Sequence, residues 1–185
     1  VMQYVEGVTL GRLIKEKGPV PWRQALKLFN QMLHAMDHAH KEGIIHRDIK
    51  PNNVLINRQG VVKITDFGLA KNQAEFGLTQ SVTTGGTLFY MSPEQVKGLA
   101  YTDKRSDIYA LGFTLYEMLT GSTPFSTDHT DFDIREAIIR TKFPQPHHVN
   151  NKIPSKLGRI VDRAINKKPD DRFQSVDEFQ SAVNE

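Results

Sequence analysis

The sequence predicts an α+β unit that is mainly helical and carries one small β-hairpin. Three observations predict it. Apolar residues recur at spacings of three and four in several long segments, as helices with one buried face require. One segment, 108–119, is apolar almost all round, which places a helix at the centre of a domain. Two β-branched runs, 54–57 and 61–65, flank Arg58-Gln59-Gly60, a hairpin signal.

Taken in order, residues 1–5 read as the end of a strand that stops at Glu6-Gly7. Thr9 is placed to cap a short helix over 10–17, stopped by Gly18-Pro19. Pro21 suits the first turn of a longer helix, where its missing N–H has no intrahelical partner. Leu26, Phe29, Leu33, Met36 and His40 give that helix its buried stripe, and Gly43 its stop. The hairpin follows and is expected to bring Asn53 and Asp66, at its two ends, close together. Residues 71–87 show no core period and read as a long loop, a class more often functional than not. Ser106-Asp107 is expected to open the central helix, and Gly121 to end it. A short helix around Ile134, Ile138 and Ile139 precedes the break at Pro144-Gln145-Pro146. Another helix carries Leu157, Ile160, Val161 and Ala164, and Ser175 with Glu178 forms a capping box for the last.

Composition narrows the function classes. The length of 185 residues fits one domain or most of one, with 38% hydrophobic and 24% charged residues. A net charge of +3 argues against a dedicated nucleic-acid binder. Absence of cysteine removes disulfides, thiolate zinc sites and a thiol nucleophile. No signal-peptide pattern and no bilayer-length apolar run occur, and a cytoplasmic location is expected. His34 and His38 lack a third ligand or an intervening Glu and read as solvent-facing. His147-His148 reads as an exposed loop pair. No Gly-x-Ser-x-Gly elbow supports a hydrolase.

The chemistry-bearing stretch is His46-Arg47-Asp48-Ile49-Lys50-Pro51-Asn52-Asn53, followed by Asp66-Phe67-Gly68 and Ser92-Pro93-Glu94. An acid, a cation, a guanidinium and an amide stand together, and the three blocks keep the order of the protein-kinase signature set. On these motifs the chain resembles the C-terminal lobe of a eukaryotic-type (Hanks-type) Ser/Thr protein kinase. Tyr90-Met91-Ser92-Pro93-Glu94-Gln95 and Asp107-Ile108-Tyr109-Ala110-Leu111-Gly112 make it most like the bacterial branch.

The resemblance implies a protein-kinase-like large lobe over residues 1–185, with a hinge at 1–7, a catalytic loop at 46–53 and an activation segment at 66–94. It implies transfer of the ATP γ-phosphoryl group to Ser/Thr hydroxyls of protein substrates, with ATP and Mg²⁺ (or Mn²⁺) as cofactors. Asp48 resembles the base, Lys50 the cation at the γ-phosphoryl, and Thr87 the threonine that bonds both. Asn53 and Asp66 resemble the metal ligands. Met2, Gln3 and Val5 resemble the adenine-binding hinge, and Leu55 the residue beneath the adenine. His46, Phe67 and Gly68 resemble packing and turn elements. Asp107 resembles the acid that accepts the loop's N–H groups, and Glu94 with Arg172 a buried ion pair. Arg47 marks kinases switched by phosphorylation, with Thr79, Ser81, Thr83 and Thr84 as candidate phosphosites.

Parts of the kinase set are missing. The sequence contains no Gly-x-Gly, no Val-Ala-Ile-Lys strand and no acidic helix partner for such a lysine. An N-terminal lobe lying outside this sequence is therefore the expected partner. A kinase dimer is among the assemblies the lobe allows, and a membrane anchor in the full-length protein is compatible with it. The rival expectation is a non-catalytic kinase-lobe scaffold or binding module. The intact set of Asp48, Lys50, Asn53 and Asp66 favours the enzyme.

Overall fold

The computed structural model describes residues 6–67, 88–98, 102–125 and 128–185. It is mainly helical and carries a small antiparallel sheet. The sheet has three strands: β1 (Gly7–Thr9), β2 (Val54–Asn57) and β3 (Val62–Ile64), in that spatial order. The expected two-stranded hairpin thus gains a partner where the first strand was expected to stop. Gly7 lies opposite Asn57 and Thr9 opposite Leu55, while Val54 lies opposite Ile64. Three residues, Gly-Val-Thr, are too few to show a strand's alternation, so backbone pairing makes this element.

Thr9 ends β1 and caps α1 (Leu10–Lys17), its hydroxyl accepting the Arg12 N–H at 3.1 Å. Helix α2 (Trp22–Lys41) starts one residue later than expected. Pro21 is the residue before it, with φ −50° and ψ 130°, and its carbonyl accepts the Gln24 and Ala25 N–H groups. The stripe Ala25, Phe29, Met32, Leu33 and Met36 is buried. Gly43, at φ +74°, then turns the chain: the Gly43 N–H bonds His40 O and the Ile44 N–H bonds Ala39 O, a Schellman stop. On the opposite side, Gln31 clamps the hairpin. It donates to Gly60 O at 3.1 Å and accepts the Val62 N–H at 3.0 Å.

Helix α3 (Pro93–Lys97) opens on a reciprocal box between Ser92 and Gln95. Helix α4 (Lys104–Thr120) begins earlier than Ser106-Asp107, because Asp103 is the cap, accepting the Arg105 N–H at 2.7 Å. This frees the Ser106 and Asp107 side chains for other partners. From Ser106 to Leu119 almost every residue is buried. Phe113 meets the rings of Tyr90, Tyr109, Tyr116, Phe125 and Phe143, so the aromatic core centres on this helix. Gly121 ends it at φ +83°, where a side chain would be strained and would strike Pro19 at 2.8 Å.

Helices α5 (Asp131–Arg140), α6 (Pro146–Val149), α7 (Ser155–Ala164) and α8 (Val176–Asn184) complete the lower half. Two details depart from expectation. Ser175 caps α8 by accepting the Glu178 N–H, but Glu178 reaches back to the Gln174 N–H rather than to Ser175. His147 is half-buried in α6 rather than exposed in a loop, because Gly158 of α7 leaves room for its ring. His34, His38 and His148 are exposed. Among the described residues no helix is long and apolar enough to cross a membrane.

Candidate active site

The loop 46–53 leaves α2 through the Gly43 turn and reaches β2 through a 3₁₀ turn, Pro51–Asn53. It hangs on Asp107 in the first turn of α4. Asp107 Oδ1 accepts the Arg47 N–H at 2.8 Å. Its Oδ2 accepts the His46 N–H at 2.9 Å and lies 2.8 Å from His40 Nε2. A fully buried carboxylate needs that many donors to offset its lost hydration. Arg47 is held at φ +68°, a strained setting for a residue with a side chain. It is fixed from both sides, since Gln95 Nε2 donates to the Arg47 carbonyl at 2.8 Å. The buried Arg47 Nε has no hydrogen-bond partner among the described residues.

His46 joins this loop to the next motif. Its Nδ1 accepts the Asp48 N–H at 3.2 Å and its Nε2 donates to Thr65 O at 2.8 Å. That pattern assigns the ring proton to Nε2. The Phe67 ring lies 4.6 Å from the His46 ring. Asp66, between Thr65 and Phe67, has φ +64°, so the chain bends sharply where this contact forms.

The Asp48 carboxylate is gripped by two neighbours. Lys50 Nζ lies 3.0 Å from Oδ1 and 2.9 Å from Oδ2. Asn53 Nδ2 donates to Oδ2 at 3.0 Å and to the Asp48 carbonyl at 2.8 Å. The Asp48 side chain keeps 31% exposure, so it remains open to an incoming group. With both amide protons spent on Asp48, Asn53 presents its Oδ1 as a lone-pair donor. The Thr65 N–H bonds Asn53 O at 2.9 Å, which brings the two ends of the hairpin side by side and Asp66 next to that pair. An amide oxygen and a carboxylate are the hard donors that Mg²⁺ takes, with water and phosphate as its remaining ligands.

A second polar cluster lies beneath. Arg172 is fully buried and pairs with Glu94 through Nη1 to Oε1 at 2.7 Å and Nη2 to Oε2 at 2.8 Å. It also donates to the carbonyls of Asn166, Arg105 and Lys167. Ser106 adds a 2.7 Å bond to Glu94 Oε1. Burial alone would push the Glu94 carboxyl up, but the Arg172 and Ser106 bonds together hold it below the ordinary range. Glu117, farther along α4, goes the other way: burial raises it, although the Tyr90 hydroxyl donates to it at 2.5 Å.

The structure brings together His46, Arg47, Asp48, Lys50, Asn53, Phe67 and Asp107, with Leu55 on the neighbouring strand β2. Met2, Gln3, Val5, Gly68, Thr79, Ser81, Thr83, Thr84 and Thr87 lie outside the described residues. Three positioning residues escaped the sequence reading: His40, Gln95 and Thr65. His40 sits on the apolar stripe of α2, and its polar partner is 67 positions away. Gln95 could have been found from the Ser92-x-x-Gln95 spacing, a box signature.

The protein kinase domain family matches residues 1–183 of the chain. The "Probable serine/threonine-protein kinase" of Clostridium perfringens is 43% identical over 179 residues, covering 97% of this chain and 26% of that protein. The serine/threonine-protein kinase PrkC of Bacillus subtilis is 37% identical over 183 residues, covering 99% of this chain and 28% of that protein. The chain thus spans little more than a quarter of the length of these relatives. Among solved structures, Rad53 1–466 in complex with AMP-PNP aligns with a TM-score of 0.77 and 28% identity, over 97% of this chain and 44% of that one.

Proposed function

The chain belongs to the protein kinase family, and from that premise we propose that it carries the loop of a Ser/Thr kinase that moves the ATP γ-phosphoryl group onto protein Ser and Thr hydroxyls. The observation that carries this reading is the open Asp48 carboxylate, gripped by Lys50 and Asn53 on a loop suspended from buried Asp107. Asp48 orients the acceptor hydroxyl and takes its proton as the new O–P bond forms. Lys50 keeps a positive charge beside that attacking oxygen. Asn53 fixes the rotamer of Asp48, and His46 keeps the loop in register with Asp66. Mg²⁺ (or Mn²⁺), held by Asn53 Oδ1 and Asp66, would supply charge neutralisation at the nucleotide phosphates. Positioning and electrostatics of this kind are most of what phosphoryl transfer asks of a protein.

The reading extends to residues outside the described set. Met2, Gln3 and Val5 would hold the adenine edge above Leu55, and Thr87 would meet Asp48 and Lys50. Arg47, with its buried Nε, would receive a phosphate on Thr79 or Ser81. Phosphopeptide mapping of the active full-length protein checks this, and an unmodified loop refutes it. The absence of a glycine-rich phosphate loop and of a lysine strand from the sequence supports an N-terminal lobe as the partner of this unit. The 185 residues alone are therefore expected to show little kinase activity. Turnover by them at about 1–100 per second would contradict that. The proposal includes a cytoplasmic site, since the reaction draws on ATP.

The test is transfer of label from γ-labelled ATP by the full-length gene product to a protein acceptor. Phosphoserine or phosphothreonine is expected. No transfer, or label on tyrosine, refutes the assignment, and no transfer is what a non-catalytic scaffold predicts.

A further inference from the structure

Far from Asp48, an open groove of about 790 Å³ lies at the C-terminal end of α4. Thr120 lies at its edge, thirteen residues along α4 from Asp107. At the helical rise this separates the groove from the catalytic loop by about 20 Å. Its walls come from the segment before α2 and the junction between α6 and α7. Pro19, Pro21, Trp22 and Val149 supply apolar surface, and Val149 is 51% exposed. The volume falls in the roughly 300–1,000 Å³ range of pockets that take ligands the size of a short peptide or a drug.

The groove's charge is one-sided. Arg23 and Lys152 line it, and no carboxylate does among the described residues. Neither cation is in an ion pair among the described residues. The Arg23 guanidinium lies 4.3 Å from the centre of the Trp22 ring. Stacking there leaves the N–H fork of Arg23 free to meet a carboxylate edge-on. Aromatic side chains lining a groove, here Trp22, are a surface on which extended peptides dock. An anionic membrane is recognised by about four to eight clustered cations, more than the two in this groove.

From these observations we propose that the groove is a docking site for an extended peptide segment whose carboxylates alternate with apolar side chains. One acid pairs with Arg23 on its Trp22 platform and a second with Lys152, and the apolar side chains cover Val149 and the two prolines. The site does not depend on the catalytic reading, since none of its lining residues belongs to the loop 46–53.

Trp22 is the single tryptophan of the chain, so its fluorescence reports on the groove directly. Immobilised octapeptides combining Asp or Glu with Leu, Val and Pro are probed with the 185-residue chain, beside matched peptides with Lys for each acid. The tightest acidic peptide is then titrated in solution. A saturable change in Trp22 emission that weakens with salt is expected. In the Arg23→Gln/Lys152→Gln variant the affinity is expected to fall at least about tenfold, with an unchanged melting temperature. Val149→Asp, at an exposed position, gives an independent loss. Absence of a saturable change with every acidic peptide overturns the proposal. So do an equal response to the Lys peptide, affinity within about twofold in both variants, or binding only to vesicles containing phosphatidylglycerol.

Discussion

Two buried acids meet the first turn of α4, and they spend their oxygens differently. Asp107 bonds backbone: the N–H groups of His46 and Arg47, with His40 as its side-chain partner. Glu94 bonds side chains: both oxygens face Arg172, and Ser106 adds a third donor. An acid on backbone N–H groups dictates the shape of a loop. An acid on a guanidinium ties together segments 78 positions apart. The first cluster thus sets the shape of the loop 46–53, and the second holds the lower half of the fold together. If that distinction is right, damage to the two should separate into activity and stability.

The largest stability effect is expected at Arg172. Arg172→Ala strands a buried carboxylate and three carbonyls, and breaking a buried pair of this kind costs about 3–5 kcal/mol. Urea unfolding of the chain reads this, and a loss under about 1 kcal/mol would show the pair to be dispensable. Asp107→Asn comes next. It keeps one acceptor oxygen but leaves at least one buried N–H short of its partner, at about 1–3 kcal/mol. In the full-length protein its kcat should fall further than its stability loss would explain. Equal losses in both would erase the contrast with Glu94.

His40→Ala should be milder. It removes one bond to Asp107, about 1 kcal/mol, and should lower kcat while leaving the KM for ATP in place. An effect on KM alone would detach His40 from the loop.

The smallest test uses pH. Glu94 titrates below its unfolded value, so its contribution is complete above the ordinary 4.5 and is lost as pH falls through the folded value. Glu117 is raised, so the folded state binds its proton more tightly and stability is lost as pH rises from 4.5 through the folded value. The melting temperature of Glu117→Gln relative to wild type should therefore climb as pH rises from the ordinary 4.5 through the folded value. A flat difference would mean that the carboxyl is better solvated than its burial implies.

Legibility in the sequence followed the range of the forces involved. The stripe of α2, its Gly43 stop and the apolar α4 are written locally, in spacing and turn chemistry, and could be read. The loop 46–53 could be read because its groups cluster within eight positions. Elements made by long-range pairing could not. Strand β1 exists because Gly7–Thr9 pairs with β2 some fifty residues later. The start of α4 differs from the expected one because the Asp107 side chain, which looks like a cap, accepts the N–H groups of the loop 46–53, and Asp103 caps instead. His40 looked like one more stripe member because its partner lies on another helix.

The most direct test of the central claim is steady-state phosphoryl transfer by the full-length protein beside its Asp48→Asn variant. Asparagine fits the same space and keeps a bond to Lys50, but it cannot take the hydroxyl proton. The account predicts a fall in kcat of about 10²–10⁴, the usual worth of a general base, with melting temperature nearly unchanged. A variant whose kcat stays within about twofold of wild type would contradict it.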